Sequence, residues 1–252
     1  MNKTVNRRAI IVLFTNILSS LSTYSFSQAA VLLEYSAEYE ASANGLAATA
    51  TRSLINVHEN TYRLSNSLEA SFAGKMLANL KQASEFILED NQIVPRNYSY
   101  QLMGISHASH TVFFNWDAKI ALSIKNGENW QLTLSDGVID QLSYQLAMRH
   151  ALIDNSGREA TFSYDIIDGG AIETQQYRIA GKEVLSTPLG ELNTLKLERV
   201  HEATDERATK IWLAIDWNYI LTRIEQRNSS GLRVVLELKS AELNGEIVRT
   251  KN

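Results

Sequence analysis

Apolar and polar residues alternate along most of this chain, which is the pattern of β-strands with one buried face. Residues 33–40 show it clearly, reading Leu-Glu-Tyr-Ser-Ala-Glu-Tyr-Glu, and the hairpin-forming pair Asn44-Gly45 follows. The same alternation predicts further strands over 46–57, 61–71, 84–90, 97–104, 109–115, 120–125, 129–134, 159–167, 172–179, 191–201, 207–215, 219–227 and 232–239. The pattern therefore predicts a mainly β protein built from consecutive hairpins.

Turn residues separate these segments. The turns are predicted at 58–60, 90–92, 125–127, 168–170 and 228–231, which are rich in Asn, Asp, Gly and Ser. Thr187-Pro188-Leu189-Gly190 predicts a further tight turn, because proline fixes φ and glycine accepts a positive φ.

One segment has helical spacing instead. Between residues 138 and 152 the apolar side chains of Ile139, Leu142 and Leu146 recur every three or four positions, after a predicted cap at Ser135 or Asp136. A sheet with one apolar face needs a partner for it. We therefore expect a curved antiparallel sheet or open β-barrel, with this one short helix covering or plugging it.

Residues 1–29 have the layout of a secretory signal peptide: basic residues, an apolar run from about 9 to 21, and Ser27-Gln28-Ala29 as a cleavage site. Residues 30–252 then form a single β-rich domain, with two half-barrels as the less favoured alternative. The expected location is the periplasm. No later segment approaches 18 consecutive apolar residues, so no integral membrane segment is expected after cleavage.

The charge balance narrows the class of partner. Cleavage would remove three of the 24 basic residues and none of the 28 acidic ones, which changes the formal net charge from −4 to −7. An acidic chain without a basic stripe argues against a nucleic-acid partner. The chain has no cysteine, so neither a disulfide framework nor a lipoprotein anchor is expected.

Catalytic and metal motifs are weak. His107 and His110 are three residues apart in a predicted strand, where they point to opposite faces and do not suit a metal. The polar cluster His201, Glu202, Asp205 and Glu206 has the composition of a solvated hairpin loop. The sequence lacks Gly-x-Ser-x-Gly, a phosphate-binding loop and His-Glu-x-x-His, so we expect no enzyme and no cofactor.

The order of several segments is similar to a known family. They lie at residues 35–45, 84–86, 94–98, 114–117, 140–143, 181–196, 211–216 and 219–227. Together they resemble the bacterial exported family known as domain of unknown function 3108. The resemblance implies an antiparallel, open-barrel structure in the cell envelope and no established activity or catalytic residues.

These observations favour an exported, non-enzymatic protein that binds an apolar or amphipathic ligand such as a lipid. The residues expected to contribute to the interior, and the candidates for ligand contact, are Trp116, Trp130, Leu142, Leu146 and Trp212. Two alternatives stay open. One is an assembly protein that docks on an envelope partner through a strand edge. The other, less favoured, is a hydrolase with paired carboxylates drawn from Asp117, Asp140, Asp165, Glu183 and Asp216.

Overall fold

A computed structural model describes residues 32–43, 46–104, 106–154, 160–200, 208–227 and 231–250. They form one sheet of 15 strands and one α-helix. The strands are β1 (Tyr35–Ala43), β2 (Leu46–His58), β3 (Thr61–Phe72), β4 (Lys75–Glu89), β5 (Gln92–Gly104), β6 (Ala108–Asn115), β7 (Ile120–Lys125), β8 (Glu128–Thr133), β9 (Thr161–Asp168), β10 (Ala171–Thr187), β11 (Gly190–Val200), β12 (Ala208–Ala214), β13 (Ile220–Arg227), β14 (Arg233–Leu243) and β15 (Glu246–Ile247). The helix, α1, spans Ser143–Asp154, and a 3-10 turn spans Ile215–Trp217. The predicted signal peptide and the cluster at 201–206 lie outside the described residues.

The sheet is antiparallel throughout and follows the chain almost strand by strand. Its order is β8-β7-β6-β5-β4-β3-β2-β1-β14-β13-β12-β11-β10-β9, with β15 added to β14. The one long-range pair, β1 with β14, joins the two halves of the chain into a continuous surface. The predicted fold class, a curved antiparallel sheet or open barrel with one helix, is confirmed.

Three strands are at least five residues longer than the alternation predicts. β4 begins at Lys75, β5 at Gln92, and β10 continues to Thr187. Bulges explain why the alternation is lost: the register shifts between Ala70 and Ser71 opposite β4, between Glu85 and Phe86 opposite β5, and at Gly181 within β10. A bulge inserts one residue and so reverses the in–out pattern that sequence periodicity relies on.

The helix begins five residues later than predicted, and its cap is neither Ser135 nor Asp136. Residue Ile139 lies extended and makes a parallel bridge to Ile166 of β9. Asp140 supplies the cap instead, because its Oδ1 accepts hydrogen bonds from the backbone amides of Leu142 and Ser143, each at 2.8 Å.

The barrel has two unlike ends. We call the end with the β3–β4, β7–β8 and β9–β10 turns the open end, and the end with the β2–β3, β4–β5 and β10–β11 turns the helix end. Helix α1 runs inside the helix end, where His150 meets Asn91 of the β4–β5 turn at 2.8 Å. The helix contributes Leu146 and Leu152 to a buried apolar cluster that also contains Leu54, Leu64, Phe86 and Leu142.

The edge strands β8 and β9 do not pair with each other. Side chains bridge the gap between the two edges of the sheet. Lys125 of β7 forms an ion pair with Asp168 of β9, and Trp130 of β8 packs on Gly170 in the β9–β10 turn. A Cβ atom on Gly170 would lie 2.6 Å from Nε1 of Trp130, so only glycine fits beneath the indole.

The described part of the chain contains no helix with the length and apolar character that a membrane crossing requires.

Candidate functional site

A partly open cavity of about 460 Å³ occupies the open end of the barrel, above α1. Side chains from both halves of the sheet and from the start of the helix line it. Its volume lies within the range of small-molecule sites in proteins. This cavity is the candidate functional site.

Helix α1 provides the floor of the cavity through Tyr144 and Gln145. The helix is held there by Asp140, which besides capping it accepts a 2.6 Å hydrogen bond from the Ser84 hydroxyl of β4. Asp140 is completely buried, and burial raises the pKa of its carboxyl while these hydrogen bonds partly oppose the rise. The buried carboxyl thus fixes the floor to the wall.

Arg52 places a positive charge beside this floor. It points inward because the alternation of β2 puts it on the same face as Ala50 and Leu54. Its Nε donates to the Tyr35 hydroxyl at 2.7 Å, and its Nη1 donates to Oε1 of Gln145 at 2.8 Å. Burial alone would lower the pKa of Arg52, but the hydrogen-bonded Tyr35 raises it above its ordinary value, so the guanidinium remains charged.

A row of polar residues continues from Arg52 across the concave face. Successive cross-strand partners on β2 to β6 are Arg52, Asn66, Gln82, Tyr100 and His110. Asn66 Nδ2 donates to Gln82 Oε1 at 3.3 Å, while the Asn66 Oδ1 has no partner among the described residues. Burial lowers the pKa of His110, which favours the neutral ring. The row offers neutral donors and acceptors beside one cation.

Above the polar row the wall becomes apolar. Leu68 of β3 and Leu80 of β4 are direct cross-strand partners, and across the cavity lie Ile224 of β13 and Leu236 of β14, which also pair. All four are only partly buried, so they retain surface that a ligand would cover. The cavity is therefore amphipathic, with a polar floor and apolar patches on its upper walls.

The remaining wall carries charges of both signs. The charge of Asp168 is balanced by its ion pair with Lys125. Arg199 of β11, the cross-strand partner of Tyr177, is half-buried and faces the cavity. Glu173 lies near the opening. Arg52 and Arg199 are thus the two cations that line the cavity.

None of the five residues that the sequence suggested for ligand contact lines this cavity. Leu142 and Leu146 belong to the fully buried core at the helix end. Trp116, also at the helix end, is half-buried, stacks on Phe114 and donates from Nε1 to the Pro95 carbonyl at 2.7 Å. Trp130 covers Gly170 at the seam between β8 and the β9–β10 turn. A role for these side chains in ligand binding stays a prediction.

Trp212 lies on the opposite face from the cavity. On β12 the neighbours Ile211 and Leu213 face the core, so Trp212 points outward beside its partners Lys196 and Arg223. Their cations lie 5.3 and 5.4 Å from the ring centroid, and Nε1 donates to Glu183 at 2.8 Å. These long side chains bury the indole without placing it in the interior.

The candidate carboxylates lie in separate environments. Asp140 is buried under α1, Glu183 bonds Trp212 on the outer face, and Asp117 lies exposed in the β6–β7 turn. Asp165 accepts a bond from Thr174, and Asp216 accepts one from Asn193. Within the described ranges no group of three or more His, Asp or Glu residues could hold a metal.

Sequence reasoning missed Arg52, the most informative residue of the site. Its signal is present in the sequence, because Ala50-Thr51-Arg52-Ser53-Leu54 places an arginine at an inward position of an otherwise apolar face. A charge at such a position is rarely buried without a specific reason. Gln145 had no comparable signal, since its role depends on where the helix sits.

Fold and cavity together define a β-barrel-like protein with a plugged helix end and an internal cavity of ligand size. The model of the family described as "Protein of unknown function (DUF3108)" matches residues 34–239, and the chain belongs to this family. This confirms the resemblance found in the sequence.

Among solved structures, the chain is similar to a beta-barrel-like protein of domain of unknown function DUF1849 from Brucella abortus. The TM-score is 0.55 at 7% sequence identity, and the alignment covers 88% of this chain and 100% of that one. At this identity the likeness shows a shared fold. No curated protein matches the sequence.

Proposed function

We propose that this protein binds one amphipathic small molecule, such as a lipid, in the cavity above α1, without catalysing a reaction on it. The observation that carries the proposal is the division of the cavity: a charged, hydrogen-bonding floor around Arg52 and partly buried apolar walls above it. An amphipathic molecule likewise has a polar end and an apolar part, which match the floor and these walls. When a ligand covers apolar surface that is open to water inside a barrel, the free energy of the complex falls, which favours binding.

The division of the cavity favours one orientation of the proposed ligand. Its polar end meets Arg52, Gln145 and Tyr144 at the floor, and its apolar part extends along Leu68 and Leu236 towards the open end. The reverse orientation would place an alkyl chain against the polar groups of the floor, to which it offers no hydrogen bonds.

The proposed place of action is the periplasm or cell envelope, which rests on the signal-peptide pattern of residues 1–29. In that setting the protein would carry or sequester the ligand between envelope components. An internal cavity suits this task, because it shields an apolar chain from water during transfer.

A docking function is the second candidate, and one observation favours it. The β3–β4 turn exposes Phe72 and Met76, whose side chains lie at the rim of the open end with relative exposures of 65% and 56%. Exposed apolar side chains beside the mouth of a cavity suit contact with the envelope component that delivers or receives the ligand. This contact would assist the binding function.

Native mass spectrometry of the protein purified from an exported fraction tests the proposal, with organic extraction of the same sample. We expect a reproducible added mass that extracts as an amphiphile. The matched control is Ala50→Phe, which fills the cavity from its wall and should reduce the added mass at least tenfold. An apo mass for the wild type, together with no uptake of added dodecanoate or dodecanol, contradicts it.

A further inference from the structure

Two arginine side chains are buried against the same tyrosine, Tyr35. Arg52 and Arg149 have relative exposures of 6% and 4%. Arg52 donates to the Tyr35 hydroxyl at 2.7 Å, and the Arg149 guanidinium carbon lies 5.0 Å from the centroid of the Tyr35 ring. The fold thus brings two cations into one buried region, where they repel each other.

Neither cation is balanced by an acid. Among the described residues no carboxylate forms an ion pair with Arg52 or Arg149, although lysines and arginines form nine ion pairs elsewhere in these ranges. The nearby phenol of Tyr39 does not compensate, because burial raises its pKa and keeps it neutral. Burial also lowers the pKa of Arg149, and the charge of Arg52 adds to this. Buried charges in proteins are normally paired.

Arg149 has an unused hydrogen-bond donor. Its Nε donates to the Asn218 carbonyl at 2.6 Å, but its Nη1 is buried with no partner among the described residues. A guanidinium presents its donors in a fixed fork, so an unpartnered Nη1 marks a direction in which an acceptor is missing.

Arg52 and Arg149 both line one small cavity. Its volume is about 20 Å³, and Arg52, Arg149, Tyr35 and Gln145 are among its lining residues. Space of this size accommodates about one water-sized particle. Arg52 and Gln145 also line the main cavity, so the small cavity adjoins its floor.

We propose that Arg52 and Arg149 together bind a small anionic group in this space. The shared chemistry is one compact negative charge that accepts hydrogen bonds from both guanidinium groups. This charge could come from a free inorganic anion such as chloride, or from the carboxylate head group of the amphiphile in the main cavity. The second source rests on the proposed function and names its ligand class as an anionic amphiphile.

The first arm of the test uses the purified protein exchanged into sodium gluconate, whose anion is too large for the space. Sodium chloride replaces gluconate at constant ionic strength, and thermal unfolding is recorded. We expect the unfolding temperature to rise with chloride and to rise no further once the site is filled. Arg149→Met should abolish this response, whereas Arg178→Met, which removes an exposed arginine on the outer face, should retain it.

The second arm compares dodecanoate with dodecanol by isothermal titration calorimetry in gluconate buffer. These ligands share a 12-carbon chain and differ in head-group charge. We expect dodecanoate to bind at least tenfold more tightly, the preference to fall below threefold in Arg52→Gln, and chloride to compete with dodecanoate. The comparison of the two ligands on the wild type needs no variant, so it holds even if Arg52→Gln fails to fold.

The outcomes separate the two proposals. Chloride stabilisation without a preference for dodecanoate supports the anion site with free anions as its source. Equal binding of both amphiphiles with no effect of chloride overturns the anion site and leaves the proposed function standing. Binding of neither amphiphile overturns the proposed function, and the chloride response alone then decides for or against the site.

Discussion

The two ends of the barrel interior are built from the same strands but differ in kind. On β2, Leu54 at the helix end is fully buried in an apolar cluster, whereas Arg52, two residues towards the open end, lies at the cavity floor. On β3 the corresponding pair is Leu64 and Asn66. The change from apolar core to polar cavity thus takes place within one step of the strand alternation.

This difference separates stability from function in the fold. The helix end buries apolar surface around α1, which is the main favourable contribution to folding. The open end keeps polar groups and empty volume, and both reduce stability. Stability should therefore depend on the helix end, and ligand affinity on the open end.

The largest expected effect comes from truncating the core at the helix end. Leu142→Ala removes a fully buried side chain and should lower the free energy of unfolding by about 2–5 kcal/mol. Leu68→Ala, in the partly buried cavity wall, should cost less than about 1 kcal/mol because no closed void forms. Urea denaturation of the two variants measures both. Equal losses would mean that the two ends contribute alike and that the comparison is wrong.

Enlarging an alanine sharpens the same contrast. Ala121→Phe inserts a ring where no space exists and should destabilise the protein by about 1–3 kcal/mol. Ala50→Phe points into the main cavity and should leave stability within about 0.5 kcal/mol of wild type while weakening amphiphile binding. Thermal unfolding and calorimetry record the two effects. A stability loss in Ala50→Phe as large as that in Ala121→Phe would show that the cavity is not available space.

The sequence predicts the fold well because half-buried strands repeat a simple rule. Alternation located at least part of every strand from β1 to β14, and the turns at 58–60, 125–127 and 187–190 lie where Asn, Gly and Pro indicated them. It failed where a bulge reversed the alternation, as at Gly181, and at the helix start, where Ile139 pairs with β9 instead of joining the helix. Both failures depend on tertiary pairing, which local spacing does not encode.

The candidate site was much harder to predict. Tryptophans drew attention because they are large, yet Trp212 is buried by flanking Lys196 and Arg223 on the outer face. Whether an apolar position fills a core or lines a cavity depends on what lies opposite, and this is set by residues distant in sequence. The inward arginine at position 52 was the one local clue.

Asp140 lies at the border of the two regions, so its removal should have an intermediate effect. Asp140→Ala loses the helix cap and should cost about 1–2 kcal/mol, whereas Asp140→Asn keeps an acceptor for the amides of Leu142 and Ser143 and should cost less.

The pH dependence distinguishes a charged from an uncharged cap. Burial raises the folded-state pKa of Asp140 above its unfolded value, so the folded state holds the proton more tightly. Wild-type stability should therefore fall as pH rises from about 4 through the folded pKa, relative to Asp140→Asn, which lacks this proton. Urea denaturation at several pH values measures the difference. A wild type that gains stability over the variant as pH rises would contradict the buried-carboxyl account.

The smallest effect is expected on the outer face. Trp212→Phe removes the hydrogen bond to Glu183 and weakens the contacts with Lys196 and Arg223, so it should lower stability by about 0.5–1 kcal/mol. Because Trp212 points away from the cavity while Thr209, three residues earlier on β12, lines it, amphiphile affinity should stay within twofold of wild type. Calorimetry with dodecanoate checks this. A tenfold loss of affinity in Trp212→Phe would place the ligand on the outer face, beside Lys196 and Arg223, instead of in the cavity.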